Sequence, residues 1–166
     1  VSSERTSYIE RRTFMKVIGS IEEAEQAVGE ELGVGEWRLV DQQMIDAFAD
    51  VTDDHQWIHV DVERAKAESQ YGATIAHGFL TLSLIPTLSA DNYRIVNSKM
   101  RLNYGLNKVR FLSAVTANSR IRARSVLVDV AKANETTANL TMRHTVELEG
   151  SEKPAAVVDL IVRAIF

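Results

Sequence analysis

Two short runs between Val51 and Phe79 hold residue types able to do chemistry. The first, Thr52-Asp53-Asp54-His55-Gln56-Trp57-Ile58-His59, packs two carboxylates and two imidazoles into eight residues. Asp54 and His59 lie five residues apart. A turn of the chain would make them an acid/base pair. The second run, Ile75-Ala76-His77-Gly78-Phe79, sets a His-Gly pair at the mouth of an apolar helical pattern. A glycine opening a helix offers a bare backbone N–H to a developing oxyanion. Read together, these groups suit the movement of water across a polarised double bond.

Each residue also has a plainer reading. Asp54 could cap a helix, and His59 could be a loop imidazole donating to a carbonyl. Asp53 reads as a solvated neighbour and His55 as exposed. His77 reads either as a brace bonding the active-site loop or as a substrate contact. Thr81 and Ser83, on the apolar helix, suit back-bonds to the carbonyl four residues earlier. A zinc site from His55, His59 and His77 has the right ligand types, but the His55–His59 spacing sits in what reads as a loop, and no metal is expected.

The elements that must position these groups divide the chain in two. Ser20-Ile21-Glu22-Glu23 has the capping-box spacing, with Glu23 reaching back to the Ser20 amide. A short helix should follow and stop near Gly29 or Gly33. Trp37 to Val40 is a brief extended run. Asp41 caps a second helix whose apolar residues Met44, Ile45, Phe48 and Ala49 recur at helical spacing. Asp61 caps a polar helix over residues 62–69, and Tyr71 to Thr74 is a turn. From His77 onward the pattern is apolar on nearly every side, as in a helix buried by its neighbours, with Pro86 kinking it or marking its last turns. Beyond residue 95, five stretches alternate apolar and polar residues as antiparallel strands do. Gly105-Leu106-Asn107, Ala117-Asn118, Ala133-Asn134 and Gly150-Ser151-Glu152 read as the turns between them. The expected fold is α+β, a long antiparallel sheet around one apolar helix.

At 166 residues the chain is expected to be one domain, 1–166, with residues 1–16 a loose arm. A net charge of −4 argues against nucleic-acid binding. With no cysteine there is no disulfide, thiolate metal site or cysteine nucleophile. Val1 to Arg5 lacks the apolar core of a signal peptide, and residues 79–88 are too short to span a bilayer, so the expectation is a cytoplasmic protein without a membrane partner.

These residues resemble a known family, the MaoC-like dehydratases or (R)-specific enoyl-CoA hydratases, which have the hot-dog fold. The resemblance runs from about Asp41 to Phe166 and is closest from Phe48 to Leu88. The family motif Ser/Thr-Gly-Asp-x-Asn-Pro-aliphatic-His is matched in spacing by Thr52 to His59, and Ala76-His77-Gly78 matches the opening of the hot-dog helix. By this resemblance Asp54 and His59 are the catalytic pair and Gly78 supplies the oxyanion-binding amide. Gln56, standing for the family's asparagine, orients the loop or the water, and His77 supports the site. Asp53 stands where glycine is usual, Gln56 where asparagine is and Trp57 where proline is. The run Asp-His-Gln-Trp-Ile-His is similar to the subgroup resembling nodulation protein N.

The resemblance implies (R)-specific hydration of trans-2-enoyl thioesters, or the reverse dehydration, on coenzyme A or an acyl-carrier protein. It implies no cofactor and a homodimer with sheets joined edge to edge. Lys99, Arg101, Lys108, Arg110, Arg120, Arg122 and Arg124 could meet the phosphates of coenzyme A or simply form a solvated strand face. Two other readings stay open: a hot-dog thioesterase, and a non-catalytic acyl-thioester-binding or regulatory protein.

Overall fold

A computed structural model describes residues 15–166. The arm expected over residues 1–16 therefore lies outside the described residues except at its end, where Lys16 already opens a strand. That strand, β1 (Lys16–Ile18), pairs in parallel with β4 (Tyr93–Ile95) as a small separate sheet that the sequence did not announce.

Helix α1 (Ile21–Gln26) begins as the capping box predicts, with the Ser20 hydroxyl accepting from the Glu23 amide at 3.2 Å. The Glu23 carboxylate reaches back one residue further than expected, to the Gly19 amide at 2.6 Å. The helix stops earlier than either glycine suggested. Residues 31–34 instead form strand β2 (Glu31–Val34), followed by β3 (Arg38–Val40).

Helix α2 (Gln42–Thr52) is capped by Asp41, whose carboxylate accepts from the Met44 amide at 2.9 Å. It buries Ile45 and Ala49 and ends at Asp53, whose φ of 57° is left-handed. Glycine enters that region freely and aspartate only with strain, which explains why glycine is usual there. Residues read as a loop around His59 form a one-turn helix, α3 (Trp57–Val60), before α4 (Val62–Glu68). Trp57 occupies the first helical position of α3, the place where proline's fixed φ and missing N–H are tolerated best. Here the Arg64 guanidinium lies 4.3 Å over the Trp57 ring and ties α3 to α4.

The apolar helix is two pieces, α5 (Gly78–Ser83) and α6 (Ile85–Leu88), meeting at Leu84. Pro86 stands in the first turn of α6, where it has no amide to give back to the preceding turn. Leu80, Ile85 and Leu88 are buried against Ile121, Ala123, Val146, Ala156 and Val158 of the sheet. Phe79 departs from the expected all-round burial and is exposed.

The main sheet has six antiparallel strands, including β5 (Met100–Phe111), β6 (Ser119–Asn134), β7 (Thr137–Leu148) and β8 (Ala156–Ile165). Their order is β2-β6-β7-β8-β5, with β3 also on β6. Gly105-Leu106-Asn107, read as a turn, lies inside β5. The strand passes through it with two bulges and stays paired with β8 throughout. Along β7, Ala138, Leu140, Met142, His144 and Val146 face inward and are buried. A second apolar cluster joins Ile18, Ile21, Leu32, Leu127, Leu140 and Met142 at the other end of the sheet.

His144 is the one polar member of that inward row. Asn92 donates to the Ser125 hydroxyl at 2.7 Å, and the same hydroxyl is hydrogen-bonded to His144 Nδ1 at 3.0 Å. His144 Nε2 is buried without a partner among the described residues. Burial lowers its pKa to about 4.

Two stability predictions follow from these positions. Between pH 6.5 and about 4 the unfolded chain binds a proton at residue 144 that the folded chain refuses. Stability should therefore fall as pH drops through that window, by up to about 3 kcal/mol. Chemical denaturation from pH 7.5 to 4.5 should give a shallower pH slope for His144→Gln than for the parent; equal slopes would refute this origin. Asp53→Gly should raise stability by about 0.5–1 kcal/mol by removing the left-handed penalty. An unchanged or lowered melting temperature would count against that account.

Candidate active site

Asp54 follows the left-handed residue at the end of α2, and its amide donates to the Ala49 carbonyl at 3.1 Å. The chain then turns into α3, which carries His59 inward. The segment 74–77 returns beside it, with the Ile75 amide on the Ile58 carbonyl at 3.0 Å and the Ala76 amide on the Val115 carbonyl at 2.7 Å. These pairings bring the two sequence runs together. One ligand-capable atom from each of Asp54, His59 and His77 lies within 4.8 Å of the others.

The two imidazoles are buried and stacked, their centroids 3.7 Å apart and their planes 25° from parallel. The Phe48 ring covers His77 on another side, at 5.0 Å. His59 Nδ1 lies 2.6 Å from the Ile75 carbonyl oxygen. A carbonyl only accepts, so Nδ1 carries the proton and Nε2 is the basic nitrogen. His77 Nε2 donates to the Asp54 backbone carbonyl at 2.9 Å and lies 4.0 Å from the Asp54 carboxylate. Its other nitrogen, Nδ1, is buried without a hydrogen-bond partner among the described residues.

Burial pushes the His59 pKa below the usual histidine value, aided by the neighbouring His77 and opposed by the Ile75 carbonyl and by Asp54. His59 is thus neutral at neutral pH. The Asp54 carboxylate is more than half exposed, which leaves it open to a substrate or a water. His55 turns away from the cluster. Its ring meets Asp50 of α2 at 2.9 Å and Asp53 at 3.6 Å. The hydrogen bond to Asp50, followed by the neighbouring carboxylates, raises its pKa. The Gln56 side chain is exposed and makes no hydrogen bond among the described residues, while its carbonyl accepts from the His59 amide at 2.9 Å.

Of the three histidines weighed for zinc, His55 is engaged with Asp50 and stands apart, while His59 and His77 group with Asp54 instead.

Gly78 directly follows His77 and opens α5, where its amide has no partner within the helix. A Cβ at Gly78 would sit 2.9 Å from the Phe111 ring, so any other residue there would have to push that exposed ring aside. Phe111 and Gly78 share a cleft of about 300 Å³ with Tyr71, Ile75, Thr81 and Val115. Among the described residues the side-chain back-bonds are made by Thr52 and Ser89, not by Thr81 or Ser83. Arg120, Arg122 and Arg124 pair with Glu149, Glu147 and Glu31, as a solvated strand face would.

Sequence reasoning passed over Gln42 and Thr74, which hydrogen-bond to each other beside His59. The only signal for them was a glutamine in the first turn of α2 and a threonine two residues before Ala76.

Comparison with known proteins gives the family and the fold. The family model described as MaoC like domain matches residues 23–148. A "3-hydroxyacyl-thioester dehydratase Z" of Mycobacterium tuberculosis is 47% identical over 151 residues, covering 91% of this chain and 99% of that one. "Nodulation protein N" of Rhizobium leguminosarum bv. viciae is 46% identical, covering 86% of this chain and 89% of that one. Among solved structures, a "Monoamine oxidase regulatory protein" from Archaeoglobus fulgius superposes with a TM-score of 0.74 at 28% identity, covering 91% of this chain and 96% of that one. "R-Hydratase PhaJ1" from Pseudomonas aeruginosa gives 0.66 at 20% identity, over 88% of this chain and 85% of that one. The sheet and its helix are accordingly a hot-dog fold, and the chain belongs to the MaoC-like dehydratase family.

Proposed function

We propose that this protein catalyses (R)-specific hydration of trans-2-enoyl thioesters and the reverse dehydration of (R)-3-hydroxyacyl thioesters. The observation that carries this reading is the convergence of Asp54 and His59 within 4.8 Å beside the amide-bearing end of α5. The 47% identical relative bears the name of a 3-hydroxyacyl-thioester dehydratase, and the enzyme is a hydro-lyase of that kind. The same reading places it in the cytoplasm, acting on thioesters of coenzyme A or an acyl-carrier protein.

In the proposed reaction Asp54 and His59 hold one water between them. Neutral His59 supplies a lone pair and Asp54 a carboxylate, so the pair can take a proton from the water and pass it on to C2. As the water loses a proton, its oxygen bonds to C3 and the C2–C3 π electrons move toward the thioester oxygen. The Gly78 amide meets that oxygen as it gains enolate character, and a proton delivered to C2 completes the addition of water. A fixed donor of this kind is commonly worth about 10²–10³ in rate. The thioesterase reading has less support, because the helix from Gly78 to Leu88 carries no carboxylate to activate water at the thioester.

A homodimer belongs to the same proposal. Among the described residues, strand β5 is an edge of the sheet and exposes Met100, Leu102, Tyr104 and Leu106 beside a row of backbone groups with no strand partner there. Pairing with a second copy would cover both. Sedimentation should give a dimer for the parent and a monomer for Leu102→Glu/Leu106→Glu; a parent that stays monomeric removes the dimer.

The purified protein should consume crotonyl-CoA or a longer trans-2-enoyl-CoA, followed by loss of the enoyl-thioester absorbance, and yield the (R)-3-hydroxyacyl product on chiral analysis. Asp54→Asn and His59→Ala should each lower kcat/KM by at least about 100-fold. A folded protein with no turnover on either substrate would sink the proposal in favour of a binding or regulatory role. The acidic limb of kcat/KM should lie below the ordinary histidine pKa of 6.5, because protonation of His59 is opposed by burial. A limb above 6.5 would exclude neutral His59 as the base.

A further inference from the structure

We infer that Gln42 and Thr74 are positioning residues that hold His59 in the geometry and tautomer its role requires; this rests on the reading of His59 given above. Gln42 stands in the first turn of α2, seventeen residues before His59. Its side-chain nitrogen donates to the His59 backbone carbonyl at 2.7 Å and to the Asp46 carboxylate at 2.8 Å. Its side-chain oxygen accepts from the Thr74 hydroxyl, which is buried. An amide has two N–H donors, and both are used. The opposite flip would aim the oxygen at a carboxylate and a carbonyl, so the orientation is set by its partners.

This one side chain therefore joins three segments: α2, the His59 backbone, and the strand-like segment that begins at Thr74. The residue after Thr74 is Ile75, whose carbonyl takes the His59 Nδ1 proton at 2.6 Å. Thr74 is itself fixed on its far side, its carbonyl accepting from the Ala117 amide at 2.9 Å. Gln42 thus fixes the spacing between the backbone that carries the imidazole and the carbonyl that selects its tautomer. Beside it, these segments are joined by the Ile75 amide on the Ile58 carbonyl, by the imidazole bond to Ile75 and by the stack of His59 on His77.

The test compares Gln42→Met, Thr74→Val and the conservative Thr74→Ser with the parent, each checked for folding by circular dichroism. Two readouts are taken: kcat and KM against pH with a trans-2-enoyl-CoA, and the His59 tautomer by ¹⁵N NMR of the imidazole. Gln42→Met should lower kcat by about 10–100-fold while KM changes by less than about threefold, since a base displaced by an ångström loses rate before binding. The acidic limb should move to lower pH, because the Ile75 carbonyl that favours the protonated ring is lost. The imidazole should lose its single Nδ1–H tautomer. Thr74→Val should show the same changes in smaller degree, and Thr74→Ser should restore the parent values. Parent-like kcat, limb and tautomer in folded Gln42→Met and Thr74→Val would overturn the inference. Should Gln42→Met not fold, the Thr74→Val and Thr74→Ser pair decides. Absence of turnover in the parent would refute the proposed reaction alone, because the tautomer readout needs no substrate.

Discussion

Two imidazoles buried face to face cannot both take a proton without strong repulsion. The stack of His59 on His77, 3.7 Å between centroids, is the constraint around which the site is arranged. Burial keeps His59 neutral, and a neutral imidazole has one donor and one acceptor. Each ring spends its donor on a backbone carbonyl, His59 on Ile75 and His77 on Asp54. Those two bonds cross-link the sequence runs: His77, beside the helix mouth, holds the loop of Asp54, and Ile75, before the helix mouth, holds His59. The site is thus tied by its own chemical groups, and the fold has only to keep the rings stacked.

The scaffold does this through small residues and close approaches. Ala76 is buried in the core beside His77, and its amide donates to the Val115 carbonyl. Gly78 lets the Phe111 ring close on the start of α5, so the edge strand and the central helix share one wall of the cleft. The Pro86 break shortens α5 without loosening it, because Leu80 on one side and Ile85 and Leu88 on the other remain buried against the sheet.

Much of this was legible in the sequence, and for stated reasons. The capping residues Ser20, Asp41 and Asp61 marked helix starts, because side-chain acceptors are needed there whatever the tertiary context. Alternation in β7 and β8 declared the buried face. What escaped was set by partners distant in sequence. Strands β1 and β2 are short, and exist through pairing with β4 and β6. The glycine and asparagine inside β5 looked like a turn because local chemistry cannot tell a turn from a bulge that β8 holds in line. Gln42 carries no local signature, since its acceptor lies seventeen residues away and its donor thirty-two. Asp54, His59, Gln56, His77 and Gly78 could be named from spacing and resemblance; that Gln56 leaves its side chain in solvent could not.

The pairing of β5 also bears on how the chain reaches this state. Among the described strands its sole neighbour is β8, whose first residue comes 45 positions after the last residue of β5. During synthesis, Met100, Leu102, Tyr104 and Leu106 therefore leave the ribosome well before the strand that receives them. Until β8 arrives, both edges of β5 are open and Phe111 has no fixed place over Gly78. Pairings this distant in sequence form slowly and leave strand edges exposed to other chains. The wall of the cleft that touches Gly78 is thus among the last parts to assemble, and until then both edges of β5 are open to other chains.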